Sequence, residues 1–308
     1  CWLSCSEGLL IMKILRIFLI SITTLFTHQA LAETEAACKR NSDGEIIVAN
    51  GNGQNIVTDI EENTGDSCKE APDFYRLKFY RFGLCKSNPI ANSTNDFSSC
   101  SYLVNSDIGV SHVITYPSTA LLNTNSTMAA GTYNFLLLLL NNSLEQKHTE
   151  TFSLPLVGSS GTGKTCWTLE KATAYGGNSI TGVTTVSPNP NTRSTLAMDC
   201  GAASAADPKY TTEIFETLGD GGYNNTDIDE GVYVKLLQDD NLSLATSVNN
   251  SKRIAVALPV VVTTKSTSSY EIGFKVVGSS SVDLHEDSGT LTALKIGADP
   301  FQVTFVVN

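Results

Sequence analysis

One short segment has the residue types and the spacing of a nucleotide-binding loop. The residues from Gly158 to Thr165 read Gly-Ser-Ser-Gly-Thr-Gly-Lys-Thr and match the P-loop pattern letter for letter. In a P-loop, backbone N–H groups and the lysine bind phosphates at the start of a helix. Residues 166–168, Cys-Trp-Thr, start a helix poorly, and the chain lacks the strand–helix alternation of a nucleotide-binding sheet. We therefore interpret this segment as the Gly/Ser turn of a β-hairpin, with no nucleotide bound.

A second segment is rich in oxygen ligands. The acidic stretch 220–230 contains Asp220, Asp227, Asp229 and Glu230, with asparagines between them. Calcium takes several carboxylate and carbonyl oxygens from flexible loops, although this spacing does not fit the EF-hand pattern. Two interpretations stay open, a calcium site and a solvated turn, and we favour the turn. Calcium is the one cofactor that the sequence suggests.

Residues for nucleophilic catalysis are sparse. The sequence has no Gly-x-Ser-x-Gly motif, and beyond the first residues only His112, His148 and His285 could serve as a general base. A pair of carboxylates for glycoside cleavage is a spatial feature, and nothing in the sequence singles one out. We predict that the protein is not an enzyme, with an exported hydrolase kept as an alternative.

The first residues have the layout of a secretory leader. Residues 1–11 resemble upstream translation, and Met12 begins a segment with Lys13, an apolar stretch and an Ala-Leu-Ala site at residues 30–32. This order is typical of a cleaved signal peptide, and the apolar part is short for a transmembrane helix. We predict a signal peptide at 12–32 and a mature chain from residue 33. The short leader is of a bacterial type, so the expected location is secreted, cell-surface or periplasmic.

Six cysteines remain in the mature chain, and an even number in an exported protein predicts disulfides. Six cysteines allow fifteen pairings by simple counting, and pairing of sequence neighbours is the simplest of them. No Cys-x-x-Cys pair is present, which disfavours zinc. The cysteines are Cys38, Cys68, Cys85, Cys100, Cys166 and Cys200.

The charge balance restricts the partners. The formal net charge is −11, with 20 Lys and Arg against 31 Asp and Glu. An acidic chain without basic clusters is disfavoured as a nucleic-acid binder. It is also a poor match for an anionic membrane surface. We expect no transmembrane segment in the mature chain.

Short β-branched or alternating runs between turn-forming clusters predict an all-β fold. Examples are residues 74–82, which alternate aromatic and basic residues, and the five leucines from Leu136 to Leu140, which indicate a buried central strand. Pro259 interrupts another apolar run and indicates an edge position or two short strands. Residues 211–218 are the one helical candidate.

Two segments a hundred residues apart are similar in form. Gly131-Thr-Tyr133 recurs in form as Gly231-Val-Tyr233, and Asp229 precedes only the second copy, which gives Asp229-x-Gly231-x-Tyr233. The second resembles the tyrosine corner of immunoglobulin-like sandwiches, in which a tyrosine at a strand entry bonds a backbone group a few residues upstream. The resemblance to bacterial secreted immunoglobulin-like surface proteins implies two antiparallel β-sandwich domains, with a jelly roll kept open. We place the boundary in the polar stretch 145–151, which gives domains at 33–148 and 149–308. The loop 181–195 is a second candidate.

The C-terminal strand is the strongest candidate for assembly. Phe301, Val303, Phe305 and Val307 alternate with polar residues and would share one face. This strand either completes its own sheet or pairs with a neighbouring subunit, as in fimbrium-type assembly.

We predict a secreted structural or adhesive cell-surface protein, such as a fibre or coat subunit that binds itself. The alternative is a carbohydrate-binding module for surface polysaccharide, with Trp167, Tyr175 or Tyr223 as exposed contacts.

Overall fold

The computed structural model describes most of the chain after residue 36. The described ranges are 37–48, 56–57, 64–65, 67–91, 95–116, 120–124, 127–175, 196–218, 222–227, 232–287, 290–298 and 301–307. The predicted leader, the loop 181–195, and Asp220, Asp229 and Glu230 lie outside them.

The protein is all-β, and most strand pairs are antiparallel. Within the described residues no α-helix occurs, and two single 3-10 turns lie at 203–205 and 248–250. The strands of the first half are β1 Ile56–Val57, β2 Thr64–Gly65, β3 Ser67–Glu70, β4 Phe74–Cys85, β5 Cys100–Thr115, β6 Ala120–Thr124, β7 Gly131–Asn141, β8 Leu144–Lys147, β9 Thr149–Val157 and β10 Thr162–Thr168. Those of the second half are β11 Ala172–Tyr175, β12 Met198–Gly201, β13 Thr211–Phe215, β14 Asn224–Asp227, β15 Val232–Leu237, β16 Arg253–Thr264, β17 Tyr270–Lys275, β18 Ser280–Asp287, β19 Thr290–Ala298 and β20 Gln302–Val307.

These strands form three main sheets and one small pair. A nine-stranded sheet has the order β11-β13-β8-β4-β7-β16-β15-β14, with β5 paired to β4. A six-stranded sheet has the order β12-β10-β9-β19-β18-β3, and a three-stranded sheet has the order β20-β17-β6. Strands β1 and β2 pair with each other.

The predicted helix at residues 211–218 is wrong, because Thr211–Phe215 is strand β13. The side chains of Thr211 and Glu213 are buried while Thr212 between them is half-buried. This period of two is the signature of a strand whose faces differ in environment. Strands β8 and β11 pair with it on either side. This pairing fixes the extended conformation of a segment that is too short to form a stable helix by itself.

The five leucines lie in β7, at the centre of the nine-stranded sheet, as predicted. Leu136, Leu138 and Leu140 face the inter-sheet core, a cluster between this sheet and the three-stranded sheet. Leu137 and Leu139 face the opposite side, which we call the loop-side core. That core also contains Tyr80, Ile90, Phe97, Leu237, Ala255 and Ala257. A strand buried on both faces is apolar at every position.

Pro259 lies in strand β16, beyond the last described residue pair of that strand with β15. The ladder between β16 and β15 ends at Ala257, whereas the ladder with β7 continues past a register shift between Pro259 and Val262. Proline cannot donate a ladder hydrogen bond, so this place suits it. The prediction of an edge strand or two short strands is wrong, because β16 is one strand of 12 residues that lies between β7 and β15.

The C-terminal strand β20 completes a sheet of its own chain. It pairs antiparallel with β17, from Gln302 to Val307. The side chains of Phe301, Val303, Phe305 and Val307 pack against the inter-sheet core. Aromatic contacts strengthen this packing, with ring centroids 5.7 Å apart for Tyr75 and Phe301 and 5.9 Å apart for Phe82 and Phe305.

Strands from both sides of residue 148 pair within the same sheets. Strand β7 pairs with β16 in the nine-stranded sheet, and β3 pairs with β18 in the six-stranded sheet. The chain does pass from one sheet to the other near this position, because β8 belongs to the nine-stranded sheet and β9 to the six-stranded sheet. The sheets are therefore built from interleaved parts of the sequence.

One feature of the tyrosine-corner pattern is present in the first of the two similar segments. The hydroxyl of Tyr133 donates a hydrogen bond to the carbonyl oxygen of Ala129, four residues upstream, at 2.8 Å. Tyr233 is half-buried and packs edge-on against Phe135, with ring centroids 6.3 Å apart.

Candidate functional site: a buried charge cluster where two sheets meet

The densest group of interacting ionisable side chains lies where the chain passes between the sheets. It consists of Arg40, Glu70, Asp73, His148 and Glu150. Glu70 ends β3 and Asp73 precedes β4, while His148 lies between β8 and β9. Arg40 comes from the segment 37–48, whose Ile46 bridges Phe152 of β9. The cluster thus joins two sheets and the start of the described chain.

Arg40 and Glu150 form a two-pronged ion pair. The guanidinium nitrogens Nη1 and Nη2 donate to Glu150 Oε1 and Oε2 at 2.9 Å and 2.7 Å. Nη2 also lies 2.9 Å from Glu70 Oε1. Glu150 is buried, and a buried carboxylate needs such a partner because it loses its hydration.

The imidazole of His148, which is 4% exposed, lies between two carboxylates. Its Nε2 is 3.4 Å from Glu150 Oε2. On the other side, Nδ1 accepts a hydrogen bond from the Asp73 backbone N–H at 3.3 Å and lies 3.6 Å from Asp73 Oδ2. The neutral ring can accept from the amide, whereas the charged ring can donate to the Asp73 carboxylate. Protonation of the His148 ring therefore replaces the hydrogen bond from the Asp73 backbone N–H with one to the Asp73 carboxylate.

The charges shift the pKa values of the central pair in opposite directions. Burial lowers the pKa of His148, but hydrogen bonds to Asp73 and Glu150 outweigh burial and raise it to about 9. Burial raises the pKa of Glu150, yet hydrogen bonds from His148 and Arg40 lower it to about 2. For Glu70 burial dominates and raises the pKa despite Arg40. The cluster holds an ionised Glu150 between two cations.

The cluster differs from a catalytic triad in what the histidine ring faces. A carboxylate beside a histidine also occurs in catalytic triads, where the histidine ring faces a nucleophile. Here the Thr168 hydroxyl oxygen accepts a hydrogen bond from the His148 backbone N–H at 3.2 Å. The hydroxyl thus contacts the backbone of His148 and not its ring. Sequence reasoning missed the cluster because its members are far apart in the chain. Residues 144–150 read Leu-Glu-Gln-Lys-His-Thr-Glu, and this local sequence gives no apolar alternation that would mark the cluster.

The P-loop-like segment forms a β-hairpin, as the sequence analysis predicts. The turn of residues 158–161 joins β9 and β10, and the Gly158 N–H donates to the Gly161 carbonyl at 2.9 Å. The backbone N–H groups of Ser160 and Gly161 donate to Asp199 Oδ1 at 2.8 Å each. A protein carboxylate thus takes the N–H groups that a P-loop offers to phosphate.

The glycines of this segment are required by close packing on strand β12. A Cβ atom at Gly158 would lie 2.2 Å from the Cys200 backbone nitrogen, and one at Gly161 would lie 2.1 Å from the Cys200 carbonyl oxygen. Lys164 Nζ donates to Glu45 Oε1 at 2.9 Å. The pattern of glycines and lysine therefore follows from a hairpin packed against a neighbouring strand.

The disulfides follow the simplest pairing considered. Bonds join Cys38 to Cys68, Cys85 to Cys100, and Cys166 to Cys200. The Cys85–Cys100 bond connects the adjacent ends of β4 and β5, and the Cys166–Cys200 bond connects directly paired residues of β10 and β12. These bonds hold strand pairs together.

The residues predicted for a calcium site lie largely outside the described part of the chain. Asp227 lies in β14, but its side chain is outside the described part, as are Asp220, Asp229 and Glu230. In the part of the chain that the structure describes, no group of three or more His, Cys, Asp or Glu could hold a metal ion.

One of the three aromatic residues considered as polysaccharide contacts is placed differently from the prediction. Trp167 is 7% exposed and packs beside Gly201, so its expected exposure is wrong. Tyr223 is half-buried, and the side chain of Tyr175 is outside the described part. A search for membrane-spanning helices among the described residues finds none that is long and apolar enough.

Comparison with known proteins gives no relative. The chain matches no protein-family model, no curated protein and no solved structure.

Proposed function

We propose that the protein is an exported structural or adhesive protein of the cell surface that associates with further copies of itself. The supporting observation is strand β5, which pairs with β4 and with no other described strand. An edge strand presents unpaired backbone N–H and C=O groups, which are a template for pairing with another chain.

Several apolar side chains along this edge are exposed. Val110 and Val113 are 46% and 44% exposed, and Tyr116 just beyond the strand is 44% exposed. The strand divides at residues 106–109, because Phe79 pairs with Val110 while Arg81 pairs with Asn105. Residues 110–115 form the regular part of the edge, and a strand of a second copy would pair with them.

Two further features support the proposal. Three disulfides suit an oxidising, extracellular environment. In the charge cluster, Arg40 and His148 both lie beside the Glu150 carboxylate, an arrangement that suits a structural role. As part of the proposal, the three-stranded sheet and the nine-stranded sheet form a β-sandwich, supported by their shared core.

The first experiment measures the mass of the mature chain in solution, from Glu33 to Asn308. Size-exclusion chromatography with light scattering over a range of concentrations, followed by negative-stain microscopy, should show dimers or ordered assemblies. A stable monomer at high concentration would count against self-association. Retention on a polysaccharide column, abolished by a chelator, would instead favour the carbohydrate-binding alternative.

A pair of variants tests whether β5 is the contact. Val110→Lys places a charge on the edge, which natural proteins use to prevent strand pairing, and should shift assemblies to monomers. Val277→Lys is the control, since Val277 is 53% exposed but lies in a turn after β17. Equal effects of the two variants would show that the surface charge matters and the edge does not.

A further inference from the structure

Lys235 and Asn95 form a buried polar pair outside the charge cluster. Lys235 is 2% exposed and Asn95 is 5% exposed. The Lys235 Nζ lies 3.1 Å from Asn95 Oδ1. The Asn95 Nδ2 donates to the Leu242 carbonyl oxygen at 2.6 Å. Both ends of the carboxamide are therefore fixed, and the amine is held beside it.

The surroundings of Lys235 are unusual for a lysine. It lies in β15 between Tyr233 and Leu237, which share its face and belong to the loop-side core or pack against it. The residue directly opposite in β16 is Ala255, also of this core. Burial there disfavours the ammonium form and lowers the pKa of Lys235. The neutral amine is the nucleophilic form of lysine.

We propose that Lys235 and Asn95 become joined by an isopeptide bond. A carbonyl bond is about 1.23 Å long, so the contact of Nζ with Oδ1 places the amine beside the carboxamide carbon. A fixed separation near van der Waals contact is the geometry from which such intramolecular reactions proceed.

The reaction is a transamidation, and it balances without a cofactor. Lys235 Nζ attacks Asn95 Cγ, a Cγ–Nζ bond forms, and the Cγ–Nδ2 bond breaks. The proton that Nζ gives up goes to Nδ2, which leaves as ammonia, and no atom is oxidised or reduced. The leaving group points at the Leu242 carbonyl in a surface loop, where the Leu242 side chain is 48% exposed.

The bond would fasten a covering loop to the sheet. Asn95 lies in the segment between Cys85 and Cys100, which a disulfide already closes. Ile90 and Phe97 of this segment cover the loop-side core. A covalent bond to β15 would prevent this segment from opening. The inference rests on the pair alone and does not require self-association.

Mass spectrometry of the full chain gives a direct test. The protein is first folded, and its disulfides are then reduced and alkylated. Its measured mass should be lower by one ammonia than the mass calculated from the sequence with alkylated cysteines. Trypsin should not cut after an acylated Lys235, so residues 210–252 should remain one peptide, linked to the peptide of residues 87–147. Fragmentation should locate the link at Asn95 and Lys235.

Variants separate the cross-link from other losses of ammonia. Lys235→Met and Asn95→Ala should each restore the full mass, whereas the control Lys164→Met, at an exposed lysine, should retain the loss. Full mass and cleavage after Lys235 in the folded wild-type protein would overturn the proposal. Loss of ammonia without a linked peptide would also overturn it, since asparagine cyclisation would then be the cause.

Discussion

At the scale of single residues, two Arg–Glu pairs among the described residues are two-pronged and differ in how deeply the glutamate is buried. In the pair of Arg40 with Glu150, the glutamate side chain is 7% exposed, although that of Arg40 is 36% exposed. Arg76 donates to Glu145 at 2.6 Å and 2.7 Å, with both side chains about a third exposed. An exposed pair contributes little because water competes for both ions, whereas breaking a buried pair leaves an ion without hydration.

We expect Glu150→Gln to lower the free energy of unfolding by about 2 kcal/mol, because Arg40 and His148 lose their shared carboxylate. Glu145→Gln is the matched control and should cost less than about 1 kcal/mol. Denaturant unfolding followed by circular dichroism measures both. Equal losses would show that the cluster contributes no more than a surface pair.

His148 should make stability fall on the alkaline side. Its pKa is about 9 in the folded protein against an ordinary value of 6.5, so its contribution is complete below 6.5 and is lost as the pH rises through 9. For Glu150, lowered from 4.5 to about 2, the contribution is complete above 4.5 and is lost as the pH falls through 2. Glu70, whose pKa is raised, acts in the opposite direction to Glu150.

Unfolding free energies between pH 6 and pH 10 test this expectation. The wild-type protein should lose on the order of 2 kcal/mol across the titration of His148. His148→Gln should be less stable at pH 6 and should show a flatter profile. An unchanged slope in that variant would assign the alkaline loss to other groups.

At the scale of elements, the hairpin between β9 and β10 shows how one pattern can serve two structures. Glycines and a lysine at P-loop spacing occur here because the turn packs on the Cys200 backbone and because Lys164 reaches Glu45. The motif predicts a nucleotide site only when a helix follows it. In this chain a strand follows.

Gly161→Ala should therefore destabilise the protein. Its Cβ would approach the Cys200 carbonyl oxygen to 2.1 Å, so backbone must move, at a cost of about 1–3 kcal/mol. Gly131→Ala is the control, since the nearest atom to its Cβ would be 3.8 Å away, and it should stay within about 0.5 kcal/mol of wild type. Thermal or denaturant unfolding measures the stability of both variants. Equal stabilities of the Gly161→Ala and Gly131→Ala variants would contradict the expectation.

At the scale of the whole molecule, the sheets tie distant parts of the chain together. The ladder of β7 and β16 runs from the pair of Asn141 with Arg253 to the pair of Gly131 with Thr264. The inter-sheet core likewise takes residues from β4, β7, β17 and β20. Folding of one half thus depends on surfaces that the other half supplies.

We expect residues 33–148 and 149–308, produced separately, to lack cooperative unfolding transitions. The intact mature chain is the control and should unfold cooperatively. Circular dichroism melting and amide proton dispersion measure both properties. A cooperative transition in either half alone would favour two sequential domains.

The sequence by itself determines the fold class and several local features. Alternating and β-branched runs give strands such as β4 and β7, since burial on one or both faces fixes the residue pattern. The Gly/Ser turn follows from backbone constraints that act locally. The pairing of neighbouring cysteines is among the options that the sequence leaves open, and the strand pairs of β4 with β5 and of β10 with β12 select it.

Only the tertiary structure decides the features that depend on long-range pairing. Residues 211–218 could be read as a helix, but β8 and β11 bind Thr211–Phe215 as a strand. The charge cluster unites Arg40 with Glu150, and the buried pair unites Asn95 with Lys235, at separations of 110 and 140 residues. Local patterns cannot encode such contacts, because they arise where sheets built from interleaved segments meet.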